Sequence, residues 1–138
     1  MKSLQNTLSQ QFSYAWQFVV VKPGFIQLAP DIINRFKDKG WKMTRITTKQ
    51  LTLREARRLY LVHKQEDFYD NLCKYMSSDL SVGIIFEKPG AFVGKEMFKE
   101  TEKIKEEIRE KWGKDDMRNV LHSSDTLSAM EHESEIYF

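Results

Sequence analysis

Two runs, WQFVVVK at residues 16–22 and SVGIIFE at residues 81–87, constrain this chain more than any other feature. Each is almost continuously apolar, and each stops at a Pro-Gly pair, Pro23-Gly24 and Pro89-Gly90. Short apolar runs bounded by such breakers read as buried strands, so a sheet must form the centre of the fold. WKMTRITTKQL, residues 41–51, alternates and is rich in β-branched residues, which predicts a further strand between them. The closing EIYF predicts a fourth.

Helical patterns separate these runs. Pro30 and Asp31 open one, with Ile32, Ile33 and Phe36 on one face and Gly40 as its stop. Thr52 and Glu55 have the spacing of a capping box, with Leu59, Tyr60 and His63 following at helical intervals. A short helix is expected from about Asp67 to Met76, carrying Phe68, Leu72, Tyr75 and Met76. From Lys95 to Trp112, Met97, Thr101, Ile104, Ile108 and Trp112 fall at steps of four, three, four and four. Lys103–Glu107 and Glu107–Lys111 pairs support its solvent face. One more helix is expected over Ser124 to Glu133. The resulting order is β-α-β-β-α-β, an α+β ferredoxin-like sandwich in which an antiparallel four-stranded sheet carries helices on one face. Residues 1–13, polar and rich in Ser and Gln, read as an extension to a single domain over 14–138.

Several chemistries are excluded. Cys73 is the only cysteine, so neither an intrachain disulfide nor a C-x-x-C zinc site exists, and His63, His122 and His132 are scattered. There is no G-x-x-x-x-G-K-[ST] loop, no G-x-G-x-x-G after the first strand and no serine elbow. Lys and Arg total 22 against 20 acidic residues, a net charge of +2, so no global field favours nucleic acid or an anionic membrane. The aromatic sheet motif of RNA-recognition domains is missing. The first residues are too polar for a signal peptide and FVVV is too short to span a bilayer, which makes the cytoplasm the default.

Five segments make sense only together. RNVLHSSD, residues 118–125, resembles the N-x-x-H-G-S-D signature of the nucleoside diphosphate kinases, and VVVKPG is similar to their V-x-K-P-D-G segment. LYLVHKQEDFY resembles H-Y-x-x-H-K-x-R-P-F-F, YMSSDLSVGIIFE resembles Y-M-x-S-G-P-V-x-x-M-x-x-E, and EIYF resembles E-I-x-L-W-F. The resemblance runs from about Tyr14 to Phe138.

It implies transfer of a terminal phosphate between nucleoside tri- and diphosphates (ATP or GTP to ADP and other diphosphates) through a phosphohistidine. Such transfer needs an in-line nucleophile and positive charge around the moving oxygens, and a neutral imidazole can attack directly. By the resemblance, His122 is the nucleophile, phosphorylated on Nδ1, with Glu133 orienting the ring and Ser124 beside it. Lys22 is the motif lysine. Arg109, Asn119 and Thr101 match phosphate- and ribose-contacting residues, Lys95 stands at an arginine position, Tyr60 lies near the ring and His63 near the inner phosphates. Phe68 fits the aromatic on which the base stacks. Mg²⁺ is expected on the nucleotide phosphates rather than in a protein site, and a homo-oligomer built from dimers is expected.

Four departures bear on this. Gly24 and Phe25 replace the family's Asp-Gly after Lys22-Pro23, and Ser123 replaces the glycine after the histidine. Glu66 stands at a phosphate-facing arginine position, which puts a like charge near the incoming anion. A Pro/Gly-rich loop is shortened and becomes ETEKIKEEIREKW, which can bring Lys99, Lys103 or Lys105 inward instead. Two readings stay open at this point: an active kinase, or a kinase-like module that binds nucleotide or protein with little turnover.

Overall fold

Four strands and five α-helices occupy residues 15–138, the part of the chain that the computed structural model describes; the expected extension over 1–13 lies outside it. In chain order they are β1 (Ala15–Val21), α1 (Ala29–Asp38), β2 (Lys42–Lys49), α2 (Leu53–Leu59), α3 (Tyr69–Met76), β3 (Ser81–Lys88), α4 (Lys95–Trp112), β4 (Leu121–Ser123) and α5 (Leu127–Tyr137). The sheet order is β2-β3-β1-β4, every neighbour antiparallel, which is the ferredoxin-like arrangement. Among the described residues, no helix is long and apolar enough to cross a membrane.

The apolar runs became the two central strands, and all seven residues of β1 are buried. A strand buried on both faces needs helices on both sides of the sheet, and the expectation of helices on one face is corrected accordingly. Residues paired across antiparallel strands share a face, so Phe18, opposite Ile85, and Phe86, opposite Gln17, point opposite ways. On one side Phe86 stacks on Phe36 of α1, centroids 4.3 Å apart at 8°. On the other, Phe18 meets Tyr137 of α5 at 5.7 Å and Phe138 at 6.4 Å. Tyr137 lies so close to the sheet that a Cβ at Gly83 would come within 2.6 Å of its ring.

That packing overturns the expected final strand. EIYF is helical up to Tyr137, and the fourth strand is Leu121–Ser123. Met130, Glu133, Ser134 and Tyr137 are buried at helical spacing, and the Thr126 side chain accepts the Ala129 N–H to cap the start. The capping box of α2 is present as expected, Glu55 N–H donating to Thr52 Oγ1 and Thr52 N–H to Glu55 Oε1, each at 3.0 Å.

Candidate active site

His122 is the central residue of β4, paired with Val20. The strand is only three residues long, and side contacts fix its position. Gln17, fully buried on β1, donates Nε2–H to the Ser124 carbonyl at 2.9 Å, and the Ser124 N–H returns to the Phe18 carbonyl at 3.3 Å. At the other end the Lys22 N–H donates to the Val120 carbonyl at 2.8 Å. Val120 has φ +79°, a costly conformation for a β-branched residue, and the Leu121 N–H bonds back to the Asn119 carbonyl at 3.0 Å. Such strain persists only where the surroundings enforce it. Here it reverses the chain so that Asn119 and His122 serve one cleft.

Glu133, one turn before the end of α5 and 6% exposed, meets the histidine from below. His122 Nε2–H donates to Glu133 Oε1 at 2.5 Å, and Ser124 Oγ–H donates to the same oxygen at 3.0 Å. Nδ1 is therefore the nitrogen left to face the cleft. The Tyr60 ring stands edge-on to the imidazole, centroids 5.0 Å apart at 66°. Its hydroxyl is buried without a hydrogen-bond partner among the described residues, and burial holds its proton well above the ordinary phenol range.

The cations converge from two elements, the end of β1 and α4. Lys22, at the end of β1 and 4% exposed, donates to Asn119 Oδ1 at 2.7 Å and to the Met117 carbonyl at 3.2 Å. Burial, and then the nearby Arg109 and Lys105 charges, push its pKa down to about 7. Arg109 of α4 donates from Nη2 to the Leu121 carbonyl at 2.9 Å and from Nε to the Asn119 carbonyl at 3.3 Å. Burial lowers its pKa as well. Together these groups line a cleft of about 500 Å³. His63 and Phe68 form its opposite lip, their rings 5.4 Å apart, with Phe68 45% exposed.

Of the residues singled out in the sequence, His122, Glu133, Lys22, Tyr60, His63, Phe68, Arg109 and Asn119 line this cleft. Ser124 lies directly behind, through Glu133. Thr101 and Lys95 are not among the lining residues: Thr101 is buried and donates to the Met97 carbonyl, and Lys95 is exposed at the start of α4. Glu66 is exposed and outside the lining as well. Sequence reasoning did not select Val62, Leu72, Asp116, Met117 or Asp125, and left Lys105 as one of three lysines. The signal for Lys105 was its place one helical turn before Arg109. A second hollow of about 500 Å³ lies among Arg54, Arg57, Arg58 and Lys64, but no histidine lines it.

The family model for nucleoside diphosphate kinases matches residues 16–138. This chain belongs to the nucleoside diphosphate kinase family. The nucleoside diphosphate kinase of Kosmotoga olearia is 34% identical to it over 127 residues, spanning 88% of this chain and 86% of that protein. The nucleoside diphosphate kinase of Hyperthermus butylicus is also 34% identical, over 88% of this chain and 89% of its own length. The halophilic nucleoside diphosphate kinase of Halobacterium salinarum, solved in complex with CDP, superposes with a TM-score of 0.76 at 25% identity, over 91% of this chain and 88% of that one. The Aquifex aeolicus nucleoside diphosphate kinase shares the fold with a TM-score of 0.78, over 91% of this chain and 96% of its own.

Proposed function

We propose that this chain performs the reaction of its family, with His122 as the nucleophile that carries the phosphate between nucleotides. The observation that carries this reading is the engagement of Nε2 by Glu133, which leaves Nδ1 free for attack. As Nδ1 attacks the terminal phosphorus, the bond to the bridging oxygen breaks and a nucleoside diphosphate leaves. The ring keeps its Nε2 proton, and the Glu133 carboxylate offsets the positive charge that develops on it. A second diphosphate then attacks the phosphohistidine in line, and the same steps run backward. Lys22 and Arg109 neutralise the oxygens of the moving group, while Asn119 holds Lys22 in place and borders the nucleotide.

Mg²⁺ would enter this scheme as part of the substrate, carried in on the nucleotide phosphates and offsetting their charge. Among the described residues, no cluster of three or more His, Cys, Asp or Glu side chains is arranged to hold a metal. Phe68 stacks on the base, and since every base offers a π-face, purine and pyrimidine diphosphates are both accepted. The proposal also includes action on cytoplasmic nucleotides and assembly from dimers. The open edge strand β2, with Met43 and Ile46 exposed, supports such assembly.

The test is incubation with radiolabelled Mg·ATP. The protein acquires one acid-labile, base-stable phosphate, releases it to any added nucleoside diphosphate, and loses both properties in His122→Ala. Labelling of His122→Ala at the parent's level overturns the assignment. Nucleotide binding without any labelling of the parent favours the binding module instead.

A further inference from the structure

Lys22 and Arg109 bring positive charge to His122 from positions the family's motifs share, but two further motif positions bring none. Lys95 is exposed and lies outside the cleft, and Glu66, at the other position, is an exposed carboxylate. The helix that replaces the family's loop supplies a different cation. Lys105 of α4 lines the cleft with Lys22, Arg109 and His122, and its side chain is only 11% exposed.

A lysine this buried is uncommon, and the neighbouring Lys99 and Lys103 of the same helix are exposed in the ordinary way. Its recorded ion pair is with Glu102 at 2.8 Å, one helical turn away, whose side chain is 48% exposed. A half-exposed pair at this spacing offsets only a small part of what burying an ammonium costs. Lys105 also adds to the like charge felt by Lys22. Three cations therefore share one cleft in an arrangement that an anion would relieve. Arg109 is tied to the backbone of β4 beside His122. Lys105 stands four residues earlier on α4, about 6 Å further along the helix axis.

We propose that Lys105 is a phosphate-binding residue of this chain, gripping from α4 the nucleotide phosphates that donor and acceptor share, with Glu102 holding its ammonium at the rim. The assignment rests on the kinase reading above. Lys105 stands in for the charge that Glu66 and Lys95 do not bring to the cleft, and it explains how a chain without those arginines still surrounds its substrate. Because donor and acceptor present the same inner phosphates, loss of Lys105 weakens both equally and leaves the chemical step at His122 little changed.

Steady-state transfer and calorimetric binding of Mg·ADP test this on the full chain. Lys105→Gln raises KM for Mg·ATP and for the acceptor diphosphate by about tenfold, the scale of one charge-assisted hydrogen bond, while kcat changes less than about threefold. Lys105→Arg keeps both constants near the parent's, and Lys103→Gln, on the exposed side of the same helix, changes neither. Lys105→Met, which keeps the unbranched stem inside the cleft wall, repeats the measurement if the glutamine variant melts early. An unchanged Mg·ADP affinity in Lys105→Gln overturns the Lys105 assignment alone. So does a tightened one, which would mean that Lys105 acts only by repelling the charge of Lys22. Failure of the parent to form a phosphohistidine overturns the kinase reading instead.

Discussion

His122 on an edge strand and Glu133 near the end of the last helix meet through one contact, Nε2 to Oε1 at 2.5 Å. Ser124 fixes the same carboxylate oxygen, so the imidazole is held by a hydrogen-bonded chain and not by packing alone. A carboxylate placed this way selects the ring tautomer and offsets charge that appears on the ring only during attack. Its loss therefore falls on the chemical step. In Glu133→Ala, kcat drops by at least about tenfold, which is 1.4 kcal/mol of barrier, while KM for Mg·ATP stays within about twofold. Ser124→Ala gives a smaller loss in the same direction. Single-turnover phosphorylation followed by rapid quench measures both.

Lys22 gives the site a pH dependence. Its folded pKa of about 7 lies below the unfolded value of 10.5, so between these limits the unfolded chain binds the additional proton. The sign follows: this group favours folding more as pH rises across that window, and the contribution is lost as pH falls toward 7. Nucleotide binding runs the other way, because a phosphate beside Lys22 favours the ammonium. At pH 8 binding of Mg·ADP takes up a proton, so its calorimetric enthalpy changes with the ionisation enthalpy of the buffer. Its affinity weakens as pH rises above 7. Lys22→Met removes most of the uptake, and an uptake unchanged in that variant would assign the proton to another group.

The contact between Gly83 and Tyr137 ties the sheet to the helix that carries Glu133. A methyl group at Gly83 would lie 2.6–2.8 Å from three atoms of the Tyr137 side chain. The ring cannot step back easily, since its hydroxyl is hydrogen-bonded to Ser81 at 2.5 Å and Phe18 packs beside it at 5.7 Å. Gly83→Ala costs about 1–3 kcal/mol through overpacking and lowers Tm by several degrees. Turnover falls as well, because a shift of α5 moves Glu133 relative to His122. Thermal melts and kcat measured on the same preparation check that the two losses occur together.

The sequence was most informative where spacing and burial coincide. The Lys95–Trp112 helix was readable to its ends because its apolar steps track the helical period over five turns' worth of chain. The capping box at Thr52 and Glu55 marked α2 in the same way. EIYF was misread because Ile, Tyr and Phe favour strands locally, whereas their actual partners are the far face of β1 and β3. β4 is three residues long, too short for any alternation to show, and a γ-turn at Val120 that propensity disfavours sets its direction. The motif residues around His122 were legible because their types are fixed by the chemistry. The position of Lys105 was not, since which lysine of a charged helix turns inward is decided by how that helix packs on β4 and the cleft.

Glu66 makes the last prediction, and it separates charge in the cleft from charge in the sequence. In the aligned motif this position carries a guanidinium facing phosphate, so a carboxylate there reads as a repulsion against every nucleotide. The structure puts Glu66 in the turn before α3, exposed, with its N–H bonded to the His63 carbonyl at 2.9 Å and its own carbonyl accepting from Tyr69 at 3.1 Å. Its backbone holds the segment between His63 and Phe68, while its side chain is outside the residues that line the cleft. A carboxylate in water, screened over a Debye length of about 8 Å at physiological salt, contributes little to an anion bound among Lys22, Lys105 and Arg109. Glu66→Gln removes the charge without changing the shape or the backbone bonds. KM for Mg·ATP in that variant stays within about twofold of the parent at 0.15 M salt, and any tightening appears only when salt is lowered toward 0.01 M, where the Debye length reaches about 30 Å. A fivefold tightening at physiological salt would place the Glu66 carboxylate beside the bound phosphates and return this position to the role the motif gives it.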